Sequence, residues 1–264
     1  MKRPNFAGKL VVVTGASSGM GREIARALAY REGANLCVAA RRAPRLEELK
    51  SEIESRCAAR VHVCTVDLAS RDGPETLFRA AESFGEVYAL VNCAGVTFYG
   101  KTLDATPDEY ERMIALNLVG PIKTTMLFLR QFLKRGTGAI LTVTSFAAFV
   151  PTPFQNCYGA TKHALQAFME GCAMEHRGDG IFFSTIAPGG MATEMLTLSG
   201  LEKKFGSGNP VTMAPTQAAA FAVRGWKRGK AVIVPGLLYK AVRLIVRVAP
   251  RWLVAHFMYR IYSP

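Results

Sequence analysis

The chain has 264 residues, half of them hydrophobic, which suits one large α/β domain or two small ones and excludes a disordered or fibrous polymer. Its formal net charge of +13 directs the search to anionic partners: nucleic acid, an acidic cofactor or substrate, or an anionic membrane surface. Six scattered cysteines with no Cys-x-x-Cys pair (Cys37, Cys57, Cys64, Cys93, Cys157, Cys172) predict reduced, mostly buried thiols in a cytoplasmic protein.

The first apolar run, Leu10 to Val13, is too short for a signal-peptide core. With Thr14 it reads as a strand buried on both faces. The turn Gly15-Ala-Ser17-Ser18-Gly19-Met20-Gly21 follows, then a helical pattern through Ile24, Leu28 and Tyr30 that stops at Gly33. Glycines between a strand and a helix let backbone approach a pyrophosphate, and the helix N-terminus adds N–H donors and a positive dipole end. The next strand, Asn35 to Ala40, ends in Arg41-Arg42, with Arg45 close by. A site for NAD ordinarily has an acid at this point; guanidinium groups suit a phosphate, so NADPH/NADP+ is expected over NAD(H).

A helix is expected from Glu47 to Arg56 and a strand from Val61 to Val66. The strand ends in Asp67-Leu68, whose carboxylate suits an adenine amino group. Gly73 to Phe84 reads as a helix and Val87 to Val91 as a strand opening into Asn92-Cys93-Ala94-Gly95. A long helical region from Pro107 to Lys134 carries Asn117 and a break at Gly120-Pro121. Gly138 to Val143 is a fifth strand, with Ser145 just beyond it. Pro151 and Pro153 close that segment before a helix from about Tyr158 to Arg177.

Tyr158 and Lys162 lie four residues apart, which puts phenol and ammonium on one helical face. A nearby ammonium favours phenolate and brings the tyrosine pKa down from its usual value near 10. With Ser145 alongside, this is equipment for moving a proton to or from a carbonyl or alcohol oxygen. Ile181 to Ile186 is a sixth strand, followed by Pro188-Gly189 and Thr193, and Ala231 to Val234 a short last one. The βα alternation predicts a doubly wound parallel sheet of Rossmann type in a single domain over residues 1–236. His62, His176 and His256 have no metal-ligand spacing, so no metal is expected.

Together, Thr14-Gly-Ala-Ser-Ser-Gly-Met-Gly21, Asp67, Asn92-Cys-Ala-Gly95, Asn117, Ser145, Tyr158-x-x-x-Lys162 and Pro188-Gly189 resemble the single-domain branch of the short-chain dehydrogenase/reductase family. The likeness runs over residues 6 to about 235. One departure is Cys93, where the family often has a second asparagine. The resemblance implies an NADPH-dependent oxidoreductase that reduces a ketone or aldehyde to an alcohol, reversibly. By the same resemblance, Tyr158 exchanges the proton and Ser145 orients the carbonyl. Lys162 lowers the Tyr158 pKa and bonds the nicotinamide ribose. Asn117 holds a relay water, and Thr193 contacts the carboxamide. A homodimer or homotetramer is implied too. The competing readings are an NAD-linked alcohol dehydrogenase and a slow or inactive NADP-binding scaffold or redox sensor.

Met191, Met195, Leu196, Leu198, Leu201 and Phe205 follow the Pro188-Gly189 turn. Phe146, Phe149, Val150 and Phe154 follow the serine. These suggest an apolar, lipid-like or steroid-like substrate. The segment 237–264 reads as a basic amphipathic helical extension, with Lys240, Arg243 and Arg247 on one stripe of the helix from Leu237 to Val248. No acid occurs after Glu202. Such helices suit an anionic membrane surface, with a flap over the active site or a subunit contact as alternatives. No transmembrane span and no nucleic-acid module is expected.

Overall fold

The computed structural model describes residues 3–202 and 212–263. Strands β1 (Leu10–Thr14), β2 (Asn35–Ala40), β3 (Val61–Thr65), β4 (Val87–Asn92), β5 (Gly138–Val143) and β6 (Ile181–Ile186) make one parallel sheet with a short strand Val232–Ile233. The order across the sheet is β3-β2-β1-β4-β5-β6, with the short strand last. The chain winds outward from β1 to β3, then returns to the other side of β1 to lay down β4. The crevice between β1 and β4 is therefore the topological switch point, where ligands bind in open α/β sheets.

Why the strands are apolar on both faces is visible in β1. Val11 and Val13 enter the core on one side of the sheet, and Leu10 and Val12 enter the core on the other. The first core is covered by α1 (Gly19–Glu32) and α2 (Ala43–Arg56), and the second by α3 (Gly73–Ser83). All 4 residues of β1 named here are at most 7% exposed.

The helical region after β4 does not break at Gly120-Pro121. It runs as α4 (Pro107–Ile114), a π-helical turn at Ala115–Val119, and α5 (Gly120–Arg135). Pro121 has no N–H to offer the Asn117 carbonyl, and the Gly120 N–H reaches back five residues to the Ala115 carbonyl. The extra residue in the turn turns Asn117 into the interior, where it is fully buried. A capping box at Thr106 and Glu109 starts this helix.

Helix α6 spans Asn156–Glu175, starting where the prolines end. After β6 the chain forms β7 (Gly190–Met191), a short helix α7 (Glu194–Leu198) and β8 (Thr212–Met213), which pairs with β7. Phe205 lies outside the described residues. Helix α8 (Pro215–Lys227) packs along α1, and its Trp226 ring lies tilted against Phe6 at 4.6 Å between ring centroids. β9 (Val232–Ile233) closes the sheet. Two further helices, α9 (Leu237–Val248) and α10 (Arg251–Tyr262), fold back toward the ends of β5 and β6. Their Tyr239, Val242, Val246, Val254 and Met258 pack on Phe146, Val150, Ala187 and Val234.

Candidate active site

A cleft of about 330 Å³ opens over the switch point. Its floor is the turn after β1, held flat by two close approaches. A Cβ on Gly15 would stand 2.8 Å from the Ala94 Cα, and one on Gly21 would stand 2.4 Å from the Gly15 carbonyl oxygen. The Thr14 hydroxyl donates to the Val91 carbonyl and accepts from the N–H groups of Cys93 and Ala94 at 2.9 and 3.2 Å, tying the β1 and β4 turns together. Helix α1 begins here with no side-chain cap and no acid in its first turn. That leaves a positive helix end aimed at the cleft, and a dinucleotide pyrophosphate fits it.

The arginines expected at the 2′-phosphate point stand at the rim. Arg41 and Arg42 both line the cleft and are exposed. The Arg42 guanidinium donates to the hydroxyls of Ser17 and Ser18 and to Glu194 at 2.9 Å, and Arg45 reaches the other Glu194 oxygen at 2.8 Å. Hydrogen bonds from Arg42 and Arg45 hold the Glu194 carboxyl at about 2, well below the usual carboxylate range. Glu194 carries no sequence signal of its own; the contact spans 152 positions.

Asp67 and Leu68 line the opposite rim. The Asp67 carboxylate accepts from the Ala69 N–H at 3.0 Å and pairs with Arg112 at 2.8 Å. Met20, Ala94, Gly95, Pro188, Gly189 and Thr193 also face the cleft, as expected. Asn92 does not. Its amide donates to Thr125 at 3.0 Å and its carbonyl accepts from Thr124 at 2.8 Å, so its buried side chain braces β4 against α5 from below. Cys93 lines the cleft; burial pushes its thiol up to about 12, so it stays protonated.

Ser145 lies just beyond the end of β5, and Tyr158 and Lys162 lie one turn apart on α6. The Ser145 hydroxyl lies beside the Tyr158 phenol, and Ser145 Oγ accepts from the Ala147 N–H at 3.1 Å. Lys162 Nζ donates to the Val143 carbonyl at 3.1 Å and lies 5.7 Å from the centroid of the Tyr158 ring. Burial dominates both groups. It pushes the Tyr158 phenol above its usual value despite the lowering influence of the neighbouring Ser145 hydroxyl, and it pulls Lys162 down to about 8. In the chain alone burial sets the net direction for both groups, because the cleft desolvates the two together.

Asn117 lies behind this pair and does not line the cleft. Its side chain accepts from the Val96 N–H at 2.9 Å and donates to the Val96 carbonyl at 2.8 Å. A Cβ on Gly95 would meet Asn117 Oδ1 at 3.2 Å and Lys162 Nζ at 3.6 Å. Asn117 therefore fixes the loop against which Lys162 is held.

Ser145 and Tyr158 also line a second cavity, of about 640 Å³. Met191, Met195, Leu196, Leu201, Phe146 and Val150 form part of its wall, in agreement with the sequence. Phe149 and Phe154 do not: the Arg243 guanidinium covers the Phe149 ring at 4.6 Å, and Phe154 stacks with Tyr259 at 5.7 Å. Much of the remaining wall comes from α9 and α10, including Leu238, Tyr239, Val246 and Tyr262. Of the readings open for 237–264, the flap over the site is the one this packing matches. Tyr239 carries no signal in the sequence, yet its hydroxyl accepts from the Gly190 N–H at 3.2 Å and its ring covers Gly189.

The sheet order, the turn after β1 and the Ser–Tyr–Lys constellation define a class of nucleotide-binding α/β protein. The profile of the family described as short chain dehydrogenase matches residues 9–203, and the chain belongs to that family. It is 35% identical over 193 residues to dehydrogenase/reductase SDR family member 7B of Bos taurus, covering 70% of this chain and 59% of that one. The chain spans 58 to 64% of the length of several vertebrate relatives and 15% of a fungal one. A short-chain dehydrogenase from Sphingobium yanoikuyae, solved in complex with NADPH, is 26% identical, with a TM-score of 0.81 over 92% of this chain and 96% of that one. A Burkholderia phymatum short chain dehydrogenase/reductase, solved in complex with NAD, shares the fold at 22% identity. Its TM-score is 0.82 over 93% of this chain and 94% of that one.

Proposed function

We propose that the chain interconverts a ketone or aldehyde with its alcohol, using NADP(H), on a bulky apolar substrate. The observation that carries this reading is the position of Ser145 and Tyr158 where the nucleotide cleft and the apolar cavity meet. A nicotinamide cofactor, when bound, supplies the hydride chemistry. The first turn of α1 would hold its pyrophosphate, and Arg41 and Arg42 its 2′-phosphate.

The residues of the chain do the rest. Ser145 donates to the carbonyl oxygen and stabilises the charge that develops there. Tyr158, kept protonated by burial, donates its proton to that oxygen, and in the reverse direction takes it back. Lys162 stands beside the phenol and stabilises the phenolate once it forms. The cavity wall presents almost only carbon to the substrate, which favours a large ketone without polar decoration.

The test is Tyr158→Phe. Turnover of a bulky cyclic ketone, followed by NADPH absorbance, is expected to fall by at least about a hundredfold, with NADPH binding by fluorescence titration unchanged. Turnover retained in this variant would remove Tyr158 as the proton donor. Binding with no turnover in the parent protein on any ketone would favour the scaffold reading.

A further inference from the structure

Helices α9 and α10 have a second side. At 100° per residue, Leu237, Leu244 and Val248 fall on one stripe of α9, opposite Tyr239, Val242 and Val246, which pack on the body of the protein. A helix packed on one face ordinarily turns charge to water on the other. Here the outward stripe is apolar: Leu237 is 82% exposed, Leu244 69% and Val248 83%, and on α10 Trp252 is 72% exposed. Lys240 and Arg247 run along one edge of the stripe, and Arg243, Arg251 and Arg260 complete a set of five cations with no acid anywhere in 237–264.

We propose that this face docks on an anionic lipid bilayer, with α9 and α10 lying in the headgroup plane. Charge selects the occupant. A two-fold contact with a second copy would set these cations against their own counterparts, whereas a phosphatidylserine surface complements them. Trp252 and Tyr259, each more than half exposed, are the aromatic types that settle at a lipid–water boundary. Among the described residues no helix is long and apolar enough to cross a membrane, so the helices lie on the bilayer.

The geometry also links the surface to the cavity. Leu238, Ile245, Leu253, Phe257 and Ile261 line the cavity and are themselves exposed, so its mouth opens along the same two helices. An apolar substrate dissolved in the bilayer would enter without crossing water. This last link rests on the proposed activity; the docking does not.

The experiment uses the full chain with phosphatidylcholine vesicles, with and without phosphatidylserine, read by cosedimentation and tryptophan emission. Of the 2 tryptophans, Trp226 is fully buried, so a blue shift on adding vesicles reports Trp252. Binding is expected only with phosphatidylserine. The double variant Lys240→Glu, Arg247→Glu should lose more than about thirtyfold in affinity, and Leu244→Glu should abolish the blue shift. None of these three residues lines the cavity, so turnover of a water-dispersed ketone should be unchanged in both variants. No vesicle binding, or equal binding to both vesicle types, overturns the proposal. So does a dimer in sedimentation velocity that Leu244→Glu dissociates while vesicle binding persists. Failure of the enzymatic reading would show separately, as absence of turnover with vesicle binding intact.

Discussion

Lys162 is a lysine in an environment that disfavours its charge. Its bond to the Val143 carbonyl compensates the loss of water in part, and its pKa falls to about 8 against an ordinary 10.5. The consequence for stability has a definite sign. Between those two values the unfolded chain keeps the Lys162 proton and the folded chain releases it, so stability rises with pH across the window. Below about 8 the cost of burying the ammonium is present in full. The urea midpoint of the parent is therefore expected to gain on that of Lys162→Met as pH rises from 8 toward 10, by up to about 2 kcal/mol. A difference independent of pH would show that Lys162 is not depressed. The residues of this pair were legible in the sequence because their spacing is local. Their titration was not, because it depends on burial that other elements impose.

Helix α7 supplies the clearest case of an element acting at a distance. Its first residue, Glu194, sits on the guanidinium groups expected to receive a 2′-phosphate. A phosphate and this carboxylate want the same donors, Arg42 above all. Glu194→Gln keeps the shape and removes the charge. NADPH affinity is expected to rise by about tenfold with NADH affinity unchanged, and Arg42→Ala should weaken NADPH by at least as much and leave NADH within about twofold. Fluorescence titration of both nucleotides against the three proteins decides it. Parallel changes for NADPH and NADH would mean that Arg42 is a surface cation with no phosphate to read. The strand and helix boundaries around this site were readable from apolar runs and glycines. The Arg42–Glu194 contact was not, since it joins residues that only the fold brings together. The π-helical turn at Ala115–Val119 was half readable: Pro121 signals a disturbed helix, but whether it kinks or widens depends on packing against the loop at Val96.

At the scale of the molecule, the switch point at β1 and β4 sets the nucleotide cleft, and the C-terminal helices decide what else reaches Ser145 and Tyr158. The parallel sheet follows from the alternation of short apolar runs with helical patterns, so it was legible throughout. The return of α9 and α10 onto the active-site loop could be read only as one of several options. A basic amphipathic helix states that it has an apolar face and leaves open what meets it. Tyr239 is the residue that ties the tail to the body of the protein. Its ring lies 5.0 Å from that of Phe146, covers Gly189, and takes the Gly190 N–H on its hydroxyl. It thus joins the tail to the turn that borders both cavities. Tyr239→Phe keeps the ring and removes the hydroxyl with its bond to Gly190, and should cost about 1 kcal/mol, read from the urea midpoint. Tyr239→Ala also removes the ring and should cost about 3 kcal/mol. It should raise KM for a bulky ketone with little change for a small one, because only the large substrate needs the far wall. Equal KM changes for large and small ketones would place the fault at Ser145 and Tyr158 instead, and no change in either would detach the tail from the site.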